Sequence, residues 1–338
     1  MPPWVECPSF VVDTDKPWGE RFGAIDPEMV KRARRLLDAL RGEIPPSALR
    51  LAPLINARTG WRHRRELREM ADFTGIDWRW LMIANVSYDL ALAYMGCSTV
   101  ALPTPEGPVL ARNMDWWPQD LLASASCLLR YSRGGRDLFA IAGWPGSVGV
   151  VTGMSARGFA VVLNAVLGED RRRRDGYPVL LFLRKVLEDA AGFEEAVAML
   201  SRQVLFTCGL FTIVGTANDQ RVCIERTPTR AELRWGRPDE PLVATNDYRK
   251  LAGRPAAKAG ADQNFLATGC ATACGRYDAL SRLSKELLAA GRVSTDGLLY
   301  ALSSPDVIQD ITAQHVVMQP AAARIELFAP GRLVQPLA

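Results

Sequence analysis

A change of period at residue 96 constrains this 338-residue chain most. Before it, apolar residues recur every three to four positions. Residues 27–42 have a proline in the first turn and a glycine after the last, and 62–72 and 77–95 carry the same helical spacing, so residues 1–96 are expected to be mostly α. After it, residues 97–102 and 108–112 are two short apolar runs around Pro-Glu-Gly, the pattern of a β-hairpin. Strand-like runs follow at 137–142, 148–154 and 159–166, with a turn at 155–158. Helical spacing returns over 177–202. Strands are then expected at 210–216, 221–226 and 231–235, a helix at 275–290, and strands at 312–318 and 323–328. Hairpins, then helices, then hairpins predict an α+β fold of antiparallel sheets packed with helices, not alternating βαβ units. No internal repeat and no linker divides the chain.

Composition excludes several classes. With 48% hydrophobic and 23% charged residues, the chain has the make-up and length of a globular protein with a large core. A net charge of +4 is too mild to imply a nucleic-acid partner, and the four arginines at 171–174, between Asp170 and Asp175, read as a solvated turn. Seven scattered cysteines give no disulfide framework, and Cys270 and Cys274, with only His63 and His315 for company, give no zinc set. The opening Met-Pro-Pro-Trp-Val-Glu lacks the order of a signal peptide, and the apolar segment 81–95 is short and broken by Asn85 and Asp89. A cytoplasmic protein without integral membrane association is the expectation. The glycine-rich 143–158 has no phosphate-loop spacing and reads as hairpin turns.

The chemistry gathers around Cys97. A cysteine starting a strand is commonly a small buried hydrophobe, and no histidine is placed to pair with it. Its surroundings say more: Gly96 precedes it, Ser98 and Thr99 follow, and Arg112-Asn113-Met114-Asp115 closes the hairpin. Pairing of the two runs would bring Arg112 across the sheet from Cys97, where a guanidinium lowers a thiol pKa. On residues alone, Arg112 and Asp115 read first as a simple ion pair at a strand end.

The stretch GCSTVALPTPEGPVLARNMDW resembles the new N-terminus of the acid ceramidase and N-acylethanolamine acid amidase group. That group belongs with the bile salt hydrolases and isopenicillin-N acyltransferases among the cysteine N-terminal-nucleophile (Ntn) hydrolases. Upstream, PSFVVDTDKPWGERF and RELREMADFTGIDWRWLMIANVSYDL are similar to the family's leading segment. Downstream, GVVTGMSARGFAVVLN, GYPVLLFLRKVLEDA, VCIERTP, ATNDY, GRYDALSRL and TAQHVVMQP fall in the family's order. The hairpin loop is one residue shorter than in the best-known relatives.

The resemblance implies a four-layer αββα sandwich, with 1–96 as a helical pro-segment or α-subunit and 97–338 as the catalytic β-subunit. It implies self-cleavage between Gly96 and Cys97, after which Cys97 supplies both the sulfur and, through its α-amine, the general base. An α-amino group near pKa ~7.7 and a thiol near ~8.5 are both poised for neutral pH. Arg112 would lie beside the sulfur, and Asp115 would hold the α-amine. Asn246 would donate to the oxyanion, Asn164 would complete that site mainly through its backbone, and Arg276 would brace it. Trp116, Trp117 and Trp144 either line an acyl pocket or pack as core. For self-cleavage, Gly96 is expected in a strained turn, where its missing Cβ permits unusual backbone angles.

The implied activity is hydrolysis of a linear N-acyl amide through a Cys97 thioester, without cofactor or metal. The cleaved fragments would stay associated, and a homo-oligomer is open. Acyl transfer to an amine and a non-catalytic acyl-binding relative that stays uncut are the alternatives.

Overall fold

The computed structural model describes residues 4–90, 95–166, 172–251 and 264–334. Two sheets form the centre. A six-stranded sheet runs in the order β1 (Trp4–Glu6), β14 (Arg324–Pro330), β13 (Thr312–Gln319), β4 (Val109–Trp116), β3 (Met95–Leu102), β12 (Leu242–Ala244). An eight-stranded sheet runs β11 (Ala231–Trp235), β10 (Arg221–Arg226), β9 (Gly209–Val214), β8 (Phe159–Asn164), β7 (Thr152–Ser155), β6 (Arg136–Gly143), β5 (Cys127–Arg133), β2 (Ser9–Asp13).

Strand alternation sorts the apolar residues into layers. Ala101, Leu110, Val316 and Leu327 of the first sheet meet Leu128, Ala140, Val162 and Leu210 of the second in a core between the sheets. Their neighbours Val100, Leu102, Ala111 and Val317 point outward, against Leu280 of α9 (Asn264–Ala289) and Leu298 and Leu302 of α10 (Thr295–Leu302). On the far side, Leu129, Phe139, Val161 and Phe211 pack on α7 (Val179–Asp189), α8 (Phe193–Arg202) and the N-terminal helices. The result is the αββα sandwich.

The N-terminal segment holds α1 (Pro27–Glu43), α2 (Ala52–Arg58), α3 (Arg64–Thr74), α4 (Trp78–Ala84) and α5 (Ser87–Leu90). It also supplies β1 and β2, which the helical pattern did not announce. β1 pairs with β14, and β2 lies parallel to β5, so the second sheet is antiparallel except at this edge. The helix expected over 77–95 breaks after Ala84 because the Asn85 side chain is drawn sideways. Its Oδ1 accepts from Val148 N (2.6 Å) and Gly149 N (2.7 Å), and its Nδ2 donates to Leu81 O and Gly146 O. The helical run 177–202 divides likewise at 190–192 into α7 and α8. Among the described residues no helix is long and apolar enough to cross a membrane. Arg171 and the side chain of Cys270 lie outside the described residues.

Candidate active site

Pairing of β3 with β4 sets the site. Gly96 stands opposite Asp115, Cys97 opposite Met114, and Thr99 opposite Arg112. Because successive side chains alternate, Cys97, Thr99, Arg112 and Met114 face the second sheet. Gly96, Ser98, Asn113 and Asp115 face α9 and α10. Arg112 is therefore diagonal to Cys97 rather than across from it, and it bridges the gap with its length. Its Nη2 lies 2.6 Å from Cys97 Sγ, its Nη1 donates to Thr152 Oγ1 at 2.8 Å, and its Nε donates to Asn113 O. Arg112 is fully buried, and among the described residues no carboxylate oxygen comes within salt-bridge distance of it. A buried cation requires compensation, and the nearest group able to carry negative charge is the sulfur. Leu163 O lies 3.8 Å from the same sulfur.

Burial nevertheless pushes the Cys97 thiol up, and the pull of Arg112, of the Ala165 backbone N–H and of Arg276 does not reverse it, with Asp115 adding to the rise. The lowered thiol pKa expected from Arg112 alone is thus outweighed in the intact chain. Taking a thiolate out of water costs more than one guanidinium returns.

Three further predicted residues converge here. Asn246 Oδ1 accepts from the Cys97 backbone N–H (3.1 Å) and from Arg276 Nη2 (2.8 Å), which fixes its amide orientation. Its Nδ2 donates to Ala165 O at 2.7 Å, leaving the second amide hydrogen unused among the described residues. Arg276, reaching in from α9, donates through Nη1 to Cys97 O (2.7 Å) and Ser98 Oγ (2.8 Å). Asn164 has no free side-chain hydrogen: its Oδ1 accepts from Thr99 Oγ1, and its Nδ2 donates to Ala244 O and Thr245 O. Its side chain holds β8 against β3 and β12.

Asp115 is fully buried. Its Oδ1 accepts from Thr312 Oγ1 at 2.6 Å, while its Oδ2 has no hydrogen-bond partner among the described residues and lies 3.9 Å from Arg276 Nη1. Burial lifts its carboxyl above the usual range, against the pull of Arg276, Thr312 and Arg112. Gly96 sits directly against it: a Cβ there would come 2.9 Å from Asp115 Oδ2. Gly96 is not among the glycines with positive φ, and it lies within β3, not in a strained turn. Close approach to Asp115, not unusual backbone angles, is what requires glycine.

Trp116, Trp117 and Trp144 line one pocket of about 50 Å³, beside Met114, Val151, Leu122 and Leu180. Part of its wall comes from upstream of residue 96, from Leu36 and Leu40 of α1 with Ala84, Asn85 and Ser87, and Gln314 of β13 also lines it. Sequence reasoning missed the positioning groups Thr152, Thr245, Ala165 and Thr312. Each is a common residue brought in by a distant strand or loop, with no local signal.

The family described as Acyl-coenzyme A:6-aminopenicillanic acid acyl-transferase matches residues 102–269. The N-acylethanolamine-hydrolyzing acid amidase of Caenorhabditis elegans is 23% identical over 236 residues, which are 64% of this chain and 66% of that protein. The acid ceramidase of Balaenoptera acutorostrata scammoni is 24% identical over 185 residues, 48% of this chain and 46% of that one. The chain thus spans about two thirds of the amidase and about half of the ceramidase. A solved structure of the C. elegans amidase superposes with a TM-score of 0.52 at 25% identity, covering 67% of this chain and 93% of that one. In fold and in these matches the chain is similar to members of the N-terminal-nucleophile hydrolase group, the N-acylethanolamine acid amidases and acid ceramidases among them.

Proposed function

We propose that the chain cuts itself between Gly96 and Cys97 and then hydrolyses a linear N-acyl amide, with Cys97 as nucleophile. One observation carries the reading. The Oδ2 of Asp115, without a hydrogen-bond donor among the described residues, packs on Gly96, beside the point where a new Cys97 α-amine would appear, and Arg112 lies 2.6 Å from the sulfur. A buried carboxylate oxygen without a donor is costly, and an α-ammonium would satisfy it.

In self-cleavage the Cys97 sulfur attacks the Gly96 carbonyl carbon, the Gly96–Cys97 C–N bond breaks, and the acyl group passes from nitrogen to sulfur. Water hydrolyses the thioester, leaving a Gly96 carboxylate and a Cys97 thiol with a free α-amine. Because residues 95–97 lie within β3, this end of the strand must first leave its ladder geometry. The mature site repeats the chemistry on substrate. The α-amine takes the thiol proton, sulfur adds to the amide carbonyl, and the unused Asn246 N–H donates to the oxyanion. Such a donor is worth about 3 kcal/mol of barrier. Collapse expels the amine with the proton from the α-ammonium, and water resolves the thioester.

Pairing of β1 and β2 into the two sheets supports continued association of fragments 1–96 and 97–338. The match to an acyl-transferase family keeps capture of the thioester by an amine as a second outcome. Intact-mass measurement tests the reading: two fragments cut at Gly96–Cys97, with amidase activity tracking the cut fraction, are expected. Full activity in wholly uncut protein would refute it, since the base would not exist.

A further inference from the structure

Among the described side chains lining the tryptophan pocket, one buried polar atom has no hydrogen-bond partner. Asn85 uses its whole amide in bonds to backbone, and Ser147 Oγ accepts from Trp144 N and donates to Trp144 O. Gln314 also lines the pocket and is fully buried, yet its Oε1 has no partner among the described residues. Its orientation is fixed by its neighbour. Ser126 Oγ spends its hydrogen on Leu122 O (2.7 Å), so it can only accept from Gln314, and Gln314 Nε2 donates to it at 2.7 Å. The oxygen is therefore the end turned away from Ser126.

The place of Gln314 relative to the nucleophile is also fixed. On adjacent strands Cys97 pairs with Met114, and Met114 pairs with Gln314. These three residues form one row across β3, β4 and β13 on the face toward the second sheet. At about 5 Å per strand step, Gln314 lies on the order of 10 Å from Cys97, a few carbon atoms beyond a bound thioester carbonyl.

We propose that Gln314 is a specificity-determining residue that selects a compact acyl group carrying a hydrogen-bond donor, a hydroxyl or an N–H, a few atoms from the scissile carbonyl. The inference rests on the amidase reading above. A plain alkyl chain entering this pocket would seal Gln314 Oε1 without a partner. A site built around such an acceptor discriminates against the analogue that lacks the donor far more strongly than an apolar wall does. The pocket's space of about 50 Å³ suits a short group.

The test uses self-processed full-length protein and four fluorogenic coumarin amides: pentanoyl and its 3-, 4- and 5-hydroxy derivatives. At least one hydroxy isomer is expected to exceed pentanoyl at least tenfold in kcat/KM. Gln314→Leu, or Gln314→Met should the branched variant fail to fold, is expected to bring that ratio to about one or below. Either variant leaves the Ser126 hydroxyl on Leu122 O. Cleavage of pentanoyl with no hydroxy isomer preferred would overturn the proposal while leaving the amidase reading intact. An unchanged ratio in the variants would overturn the role of Gln314. Processed protein that cleaves none of the four, nor longer N-acyl amides, would instead refute the amidase reading.

Discussion

Arg112 stands opposite Thr99 in the β3–β4 ladder, yet its Nη2 lies 2.6 Å from the sulfur of Cys97, two residues away. The guanidinium reaches diagonally while its Nη1 is fixed on Thr152. Lysine would keep the charge but could not hold both partners. Arg112→Lys should therefore process slowly and lose on the order of 10–100-fold in kcat. Its Cys97 alkylation profile should move to higher pH. A profile identical to wild type would show that Arg112 does not govern the thiol.

Cys97→Ala should stay one chain on intact-mass measurement and remain folded, because exchanging a thiol for a methyl costs little packing. Cys97→Ser can undergo the same acyl shift through oxygen and should cut slowly, with far weaker amidase activity. Scission at this bond in Cys97→Ala would exclude self-processing by the thiol.

Asn246→Ala should lower kcat by roughly 10²–10³ with little change in KM, as expected of a donor used chiefly in the transition state. Because Asn246 Oδ1 also receives the Cys97 N–H and Arg276, processing should slow as well. A rise in KM alone would move Asn246 to substrate binding.

Asp89 lies on α5, upstream of residue 96, fully buried, with both oxygens accepting from Val179 N at the start of α7. Burial raises its carboxyl from 3.8 to about 7, against the Val179 hydrogen bond and Arg172. Between those two pH values the folded chain keeps a proton that the unfolded chain has released, so stability falls as pH rises through the window. Asp89→Asn removes this dependence and still offers an oxygen to Val179. The Tm of Asp89→Asn minus that of wild type should climb from pH 4 to 7 and then level off. Taking the difference cancels His63, whose burial-depressed pKa of about 3 works in the opposite direction. A flat difference would mean Asp89 is not held protonated.

Antiparallel sheets packed with helices were legible because strand alternation writes both faces of a sheet into the chain, Val100, Leu102 and Ala111 alternating with Ala101, Leu110 and Arg112, whereas the four-layer order came from the resemblance. The first hairpin could be placed from the two apolar runs on either side of Pro-Glu-Gly. Register was harder to foresee, and a shift of two residues decides whether Arg112 faces Cys97 or Thr99. The partners of Asp115 and Asn164 were out of reach, since Thr312 and Thr99 are ordinary strand residues until β13 and β8 arrive. Gly96 was identified, but for the wrong reason, because its crowding comes from a side chain 19 positions away.

The N-terminal segment also acts as a hem. One rim of each sheet is closed by a strand from upstream of residue 96, β1 along β14 and β2 along β5. Under the proposed cut, severing one peptide bond would leave both rims hydrogen-bonded, changing the covalent chain without opening the fold. Fragment 97–338 made without its leader would instead present two bare rows of backbone N–H and C=O groups. Those are templates on which a neighbouring molecule can add a strand. Beyond whatever it contributes to the pocket, segment 1–96 covers the two edges along which copies of this chain would otherwise add strands.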